Sequence, residues 1–238
     1  MEEWTLLDQM EIFLYLLQRN IPFAYAHFND GEMTMMMDNT ISPLSLEQKA
    51  SRELSIKLIN AFTHKQMNYF PGSPCSLCYP KLRKHADELR ARSNVSWHAL
   101  SFHHTKTVYF RPLIESLRNK KLYWIINEKH NLAVLGQCGL DVSSTLIIPR
   151  LNAFDAYTDI HRAYNTFEDN AIVLLLCGCV GRVLAQEWFH LRPKVTFLCL
   201  GSYFDSHILR KPHLYDSIQH HKQCDECFNK ERLLAHMV

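Results

Sequence analysis

Seven consecutive apolar residues, Ala171 to Cys177, form the strongest hydrophobic run in the chain, and the run stops at Gly178. It is far shorter than the roughly 20 residues a membrane-spanning helix requires. It is also too unbroken for a strand with one wet face. A strand this apolar must be covered on both sides, the condition of strands in a mainly parallel sheet. Four further runs have the same character: Pro22 to His27, Leu122 to Asn127, Thr145 to Pro149 and Val195 to Leu200. Between the strands the spacing predicts helices at Ser45 to His64, Pro80 to Arg92, Thr105 to Asn119, Asn131 to Gln137, Ala153 to Phe167 and Arg182 to His190. Met67 to Cys78 reads as irregular. The alternation predicts an α/β fold, a Rossmann-like mainly parallel sheet flanked by helices.

The 238 residues read as a single domain, and 47% apolar residues supply an ample core. Residues 1–20 hold an amphipathic helix, with Leu6, Leu7, Met10, Phe13, Leu14 and Leu17 at helical spacing. Its apolar face has two docking choices, the chain's own sheet or a second copy in a homodimer. Residues 206–238 form a tail expected to pack back on the domain. A formal charge of +2 provides no strongly basic field, which argues against a nucleic-acid partner. Lys81, Arg83, Lys84, His85, Arg90 and Arg92 read as the solvated face of a helix. The start Met1-Glu2-Glu3-Trp4 is acidic where a secretory signal is basic, and no run spans a membrane, so a cytoplasmic protein is expected.

Ligands of such sheets bind beyond the carboxyl ends of the strands. The first run ends in His27-Phe28-Asn29-Asp30-Gly31-Glu32. Read as an extended segment, Asp30 and Glu32 point the same way and converge on one hard cation, Mg2+ or Mn2+. Gly31 permits a close approach. A solvated turn accounts for the tripeptide equally well. The strongest run continues into Cys177-Gly178-Cys179-Val180-Gly181-Arg182, a strand, a turn and a helix start. Gly178 and Gly181 either open backbone N–H groups to a phosphate or simply make a tight turn. Asn152 suits a helix N-cap, and alternatively a contact to a uracil or ribose edge. Asp205 is either a general base or an exposed turn residue.

Cys138, Cys177, Cys179 and Cys199 lie in apolar runs and read as reduced core residues. Cys75-Ser76-Leu77-Cys78 and Cys224-Asp225-Glu226-Cys227 are different. Two Cys-x-x-Cys pairs supply the four thiolates of a structural Zn2+ site, which would pin the C-terminal tail. A disulfide or two unrelated pairs are the rival readings.

Phe28, Asp30, Gly31 and Glu32 resemble the Arg-Phe-Gly-Asp-Gly-Glu signature of the GT-D-fold glycosyltransferases, with His27 in place of the Arg and Asn29 in place of the first Gly. Ile147 to Tyr157 is similar to the family's segment ending in Asn-Ala-Phe. Leu174 to Leu184 is similar to a strand followed by Gly-Pro-x-Ala and a helix, without the Pro and Ala. The resemblance runs from about Ile21 to Asp205. It implies a GT-D type sheet and transfer of a sugar from a nucleotide-sugar donor, UDP-glucose first among UDP-sugars, to a hydroxyl of a glycan or glycoprotein acceptor. It implies that Asp30 and Glu32 hold Mn2+ or Mg2+ against the donor diphosphate. His27, Asn29, Gly31, Asn152, Gly178 and Gly181 would line the nucleotide sugar, with Asp205 in catalysis. Two other functions stay open: a non-catalytic, zinc-stabilised interaction module on the same fold, and a metal-dependent phosphoesterase.

Overall fold

The five apolar runs all become strands, joined by two that the sequence hid. A computed structural model describes residues 6–42, 47–74, 79–93, 99–100, 106–201 and 203–204. The strands are β1 (Ala24–His27), β2 (Tyr69–Ser73), β3 (Ala99–Leu100), β4 (Leu122–Asn127), β5 (Ser144–Ile148), β6 (Ile172–Leu176) and β7 (Thr196–Cys199). They form one sheet in the order β3-β2-β1-β7-β6-β4-β5, with every pairing parallel. The helices are α1 (Leu6–Gln18), α2 (Asp30–Met37), α3 (Arg52–Thr63), α4 (Pro80–Ser93), α5 (Lys106–Leu117), α6 (Ala133–Gln137), α7 (Tyr157–His161) and α8 (Val180–Leu191).

Strand side chains alternate between the faces, so each strand feeds two cores. On one face Met10 and Phe13 of α1, Leu113 and Leu117 of α5 and Leu135 of α6 cover Tyr25, Trp124, Leu174 and Leu198. On the other, Met33, Leu54, Leu58, Ala86, Ile160, Val183 and Trp188 cover Ala26, Ile125, Val173, Leu175 and Phe197. The β6 run is apolar throughout because both faces are buried. The apolar face of α1 docks on its own sheet, where Phe13 stacks on Phe23 with ring centroids 5.2 Å apart. No helix among the described residues is long and apolar enough to cross a membrane.

The structure corrects several local expectations. The stretch read as irregular contains β2, disguised by Pro71 and Gly72. Gly72 is required there, because a Cβ would come within 2.6 Å of the Tyr25 hydroxyl. Asp30 to Glu32 is not extended but opens α2. Asn29 is extended (φ −134°), and its N–H donates to Glu32 Oε2 at 3.1 Å, one arm of a capping box. The long helix expected from Ser45 starts at Arg52, where the Ser51 hydroxyl accepts the Leu54 N–H at 3.1 Å. The helix expected over Ala153 to Phe167 is broken into a 3-10 turn, α7 and a second 3-10 turn. Side chains on and just after α8 take carbonyls there: Trp188 Nε1 donates to His161 O at 2.9 Å and Arg192 to Tyr164 O at 3.2 Å. Nor is α4 simply a solvated basic face. Arg83 and Arg90 are buried, and Arg90 lies over the Phe62 ring and donates to Pro71 O at 2.9 Å.

Candidate active site

All strands being parallel, their carboxyl ends share one rim of the sheet. At its centre β7 lies between β1 and β6. The turn from β1 into α2 and the turn from β6 into α8 therefore flank one crevice, where ligands of open α/β sheets bind.

A single buried arginine joins these two turns. Arg182, in the first turn of α8, donates from Nε to the His27 carbonyl at 2.5 Å and from Nη1 to the Gly178 carbonyl. Its Nη2 lies 3.0 Å from Glu32 Oε1. The side chains of Arg182 and Glu32 are 5% and 1% exposed. A cation at a helix N-terminus opposes the helix dipole, and burial works against its charge as well. Burial is the largest single effect, and the Glu32 carboxylate together with the sulfurs of Cys199, Cys179 and Cys177 more than offsets it, holding the guanidinium above its ordinary value. The guanidinium thus hydrogen-bonds the end of β1 and the β6–α8 turn and ion-pairs with α2, where Glu32 Oε1 accepts no hydrogen bond among the described residues.

Gly181 lets α8 come this close. A Cβ there would meet Cys177 Sγ at 2.9 Å and Cys199 Sγ at 3.0 Å. Burial pushes the Cys179 thiol up to about 12, helped by Glu32, and burial also raises Cys177 and Cys199. These three cysteines are free, buried and protonated, which suits packing and not nucleophilic attack.

No protein-family model and no curated protein matches the chain. Solved structures do match. A structure of domain of unknown function 1792, described as having a distinct glycosyltransferase fold, superimposes with a TM-score of 0.63 at 17% identity, covering 90% of this chain and 87% of that one. A domain from Streptococcus sanguinis, described as a new glycosyltransferase, gives 0.62 at 18% identity, covering 83% of this chain and 82% of its own. This chain has a glycosyltransferase fold.

On that glycosyltransferase fold the residues singled out in the sequence fall into distinct groups. Asp30 stands half-exposed at the start of α2, and its carboxylate has no hydrogen-bond or ion-pair partner among the described residues. Glu32 faces the opposite way and engages Arg182 and the Asn29 N–H. Asp30 and Glu32 therefore do not converge as an extended segment would make them, and no group of three His, Cys, Asp or Glu gathers around a cation position among the described residues. Gly31 is buried and Asn29 half-buried beside them. His27 is 2% exposed, its Nδ1 3.2 Å from the Tyr25 hydroxyl. Gly178 takes a left-handed conformation (φ 63°) and is half-buried at the rim.

Asn152 occupies the N-cap position of the 3-10 turn over Ala153–Ala156, but its side chain makes no capping hydrogen bond. It is left-handed itself (φ 51°), and its Oδ1 accepts the Lys49 N–H at 2.8 Å. Its own N–H donates to Glu47 O at 2.9 Å, so it fastens the 47–49 segment to the end of β5. Asp205, Cys75, Cys78, Cys224 and Cys227 lie outside the described residues, as does the 206–238 tail.

Sequence reasoning missed Arg182. Its signal was a lone charge inside Val180-Gly181-Arg182-Val183-Leu184, since an arginine on an otherwise apolar buried face requires a buried partner. A second polar cluster also went unread. Lys57 Nζ of α3 lies 3.0 Å from Glu187 Oε1 of α8 and 4.5 Å from the Tyr157 ring centre, while the Tyr157 hydroxyl donates to Glu187 Oε2. His161 Nε2 is 3.2 Å from the same oxygen. This cluster ties α3, α7 and α8 together on the outer side of the helix layer.

Proposed function

We propose that the chain is a glycosyltransferase that moves a sugar from a nucleotide-sugar donor to a hydroxyl of a glycan or glycoprotein. The observation that carries the reading is Asp30, an unpartnered carboxylate at the central crevice of a glycosyltransferase fold. It fits a divalent cation that takes most of its other ligands from donor phosphates, as Mg2+ and Mn2+ commonly do. Glu32, with Oε2 taking the Asn29 N–H and Oε1 ion-paired to Arg182, fits that role less well. Such a cation, held by Asp30 and the donor, would supply Lewis-acid neutralisation of charge on the departing diphosphate.

The chain's own residues supply positioning. Glu32 and Arg182 fix the first turn of α2 against α8, and thereby fix where Asp30 stands. Gly178 keeps the β6–α8 turn free of a side chain beside that position. Asp205 is the proposed general base for the acceptor hydroxyl, and the Cys75, Cys78, Cys224 and Cys227 set the proposed Zn2+ ligands. A UDP-sugar, UDP-glucose first, is the proposed donor. The engagement of Glu32 by Arg182 favours one rival, a non-catalytic module on the same fold.

Calorimetric titration of UDP-, GDP- and dTDP-sugars with and without Mn2+ separates the two. The expected result is Mn2+-dependent binding of one donor that disappears in Asp30→Asn, a half-exposed change costing within about 0.5 kcal/mol of stability. Failure of every donor to bind a folded, metal-supplemented protein would overturn the transferase reading and favour the module.

A further inference from the structure

The strand β5 is an edge of the sheet, and its burial is unlike that of any interior strand. Thr145, Leu146 and Ile147 are all exposed, Leu146 by 37% and Ile147 by 62%. Register places Leu146 beside Ile125 and Ile147 beside Ile126, residues of the two opposite cores. One apolar side chain on each face of the sheet, Leu146 and Ile147, is therefore exposed along this edge. Edge strands are ordinarily blunted by a lysine, a proline or a bulge. Ser144–Ile148 contains none of these; Pro149 follows only after its last residue.

We infer that β5 pairs antiparallel with β5 of a second copy, joining two sheets across a two-fold axis perpendicular to them. That symmetry keeps corresponding faces together, so the pairing is centred on a residue facing its own counterpart. Centred on Leu146, it puts Leu146 against Leu146 on one face and Thr145 against Ile147 on the other. Charge at the two ends of the strand favours a second copy over an unrelated extended peptide. Asp141 precedes the strand and is 3 residues from Ser144 in the chain, while Arg150 follows it. Antiparallel pairing sets Val142 opposite Arg150 of the partner copy, with Asp141 one residue further along. Arg150 uses Nε and Nη2 on Glu47 Oε1, at 2.9 and 2.6 Å, and its side chain is still 48% exposed. Its Nη1 has no partner among the described residues and can donate to Asp141 Oδ2, Oδ1 being held by the Ser143 N–H and hydroxyl. The two-fold axis repeats that ion pair at the other end.

The test is the oligomeric state of the full chain, by sedimentation equilibrium over a wide concentration range. The expected mass is twice the single-chain 27.9 kDa. Ile147→Lys puts a charge on an already exposed position and should raise the dimer dissociation constant by about 30-fold or more, with the thermal unfolding of the subunit retained. Asp141→Lys should weaken the dimer as well, and more at low salt than at high salt. Hydrogen exchange should show Ser144–Ile148 amides protected at high concentration and released on dilution. A chain monomeric at every concentration overturns the proposal and leaves the edge to a peptide of another protein. A dimer indifferent to both substitutions also overturns it.

Discussion

Arg182 Nη2 and Glu32 Oε1 meet 3.0 Å apart beneath the central rim of the sheet, with 5% and 1% of their side chains exposed. This pair joins α2 to α8. Removing one member leaves the other charged and buried, which typically costs about 3–5 kcal/mol. Arg182→Met should therefore destabilise the protein by that order in urea unfolding. Adding Glu32→Gln should restore part of the loss, because a neutral amide no longer faces burial as an unpaired ion. Additive losses in the double-mutant cycle would show that the two side chains are not coupled.

Gly181 sets how closely α8 sits on the sheet. Gly181→Ala gains helix propensity of about 0.5–1 kcal/mol but drives a Cβ to 2.9 and 3.0 Å from two buried sulfurs. Overpacking of this kind costs about 1–3 kcal/mol, so a net loss of roughly 1 kcal/mol is expected from thermal unfolding. Cys177→Ala opens the nearer contact. In that background the loss from Gly181→Ala should shrink but not vanish, because the Cys199 sulfur still lies 3.0 Å from the new Cβ.

The thiols nearby provide a chemical readout of the same packing. Cys177, Cys179 and Cys199 are buried, and burial raises all three, Cys179 to about 12. Native protein treated with iodoacetamide at pH 8 should carry no label on these three by peptide mass spectrometry, whereas the half-buried Cys138 should be modified first among the described cysteines. In 6 M urea the protection should vanish. Rapid native labelling of Cys179 would contradict the sealed site.

His161 gives the outer cluster a pH signature. Burial, and then Lys57, hold its imidazole below the ordinary 6.5. The Glu187 carboxylate 3.2 Å away does not reverse this, since Lys57 shares it at 3.0 Å. A histidine with a depressed folded pKa takes up its proton more readily when unfolded. Its contribution to stability is therefore complete above 6.5 and is lost as the pH falls through the lower folded value. The slope of stability against pH below 6.5 should shrink in His161→Gln. An unchanged slope would assign the acid sensitivity elsewhere.

The sequence was readable wherever burial was two-sided. The β4 and β6 runs showed their strands almost to the residue, because nothing polar interrupts a segment covered on both faces. Reading failed where one tertiary neighbour decides the conformation. Tyr25 requires Gly72, and Pro71 with Gly72 made β2 look like a turn. Trp188 and Arg192 take the carbonyls that a helix over Ala153–Phe167 would have used. At the rim, Asp30-Gly31-Glu32 does follow the end of β1. Its geometry could not be read, because the residue that turns Glu32 inward, Arg182, lies most of the chain away. Asn152 looked like a cap because it precedes a helical turn, yet its side chain answers to Lys49 instead.

The place of β7 between β1 and β6 also bears on how the protein is made. Synthesis delivers β1 before the other six strands and β7 after them. Until Thr196–Cys199 leaves the ribosome, β1 and β6 have no neighbour to share between them, and the two halves of the sheet cannot join. A nascent chain halted before β7 would expose two apolar strand edges at once, the features that chaperones and proteases act upon. The residues that line the crevice thus come into register only once β7 has been made, and a copy without β7 has no continuous sheet at the centre of the rim.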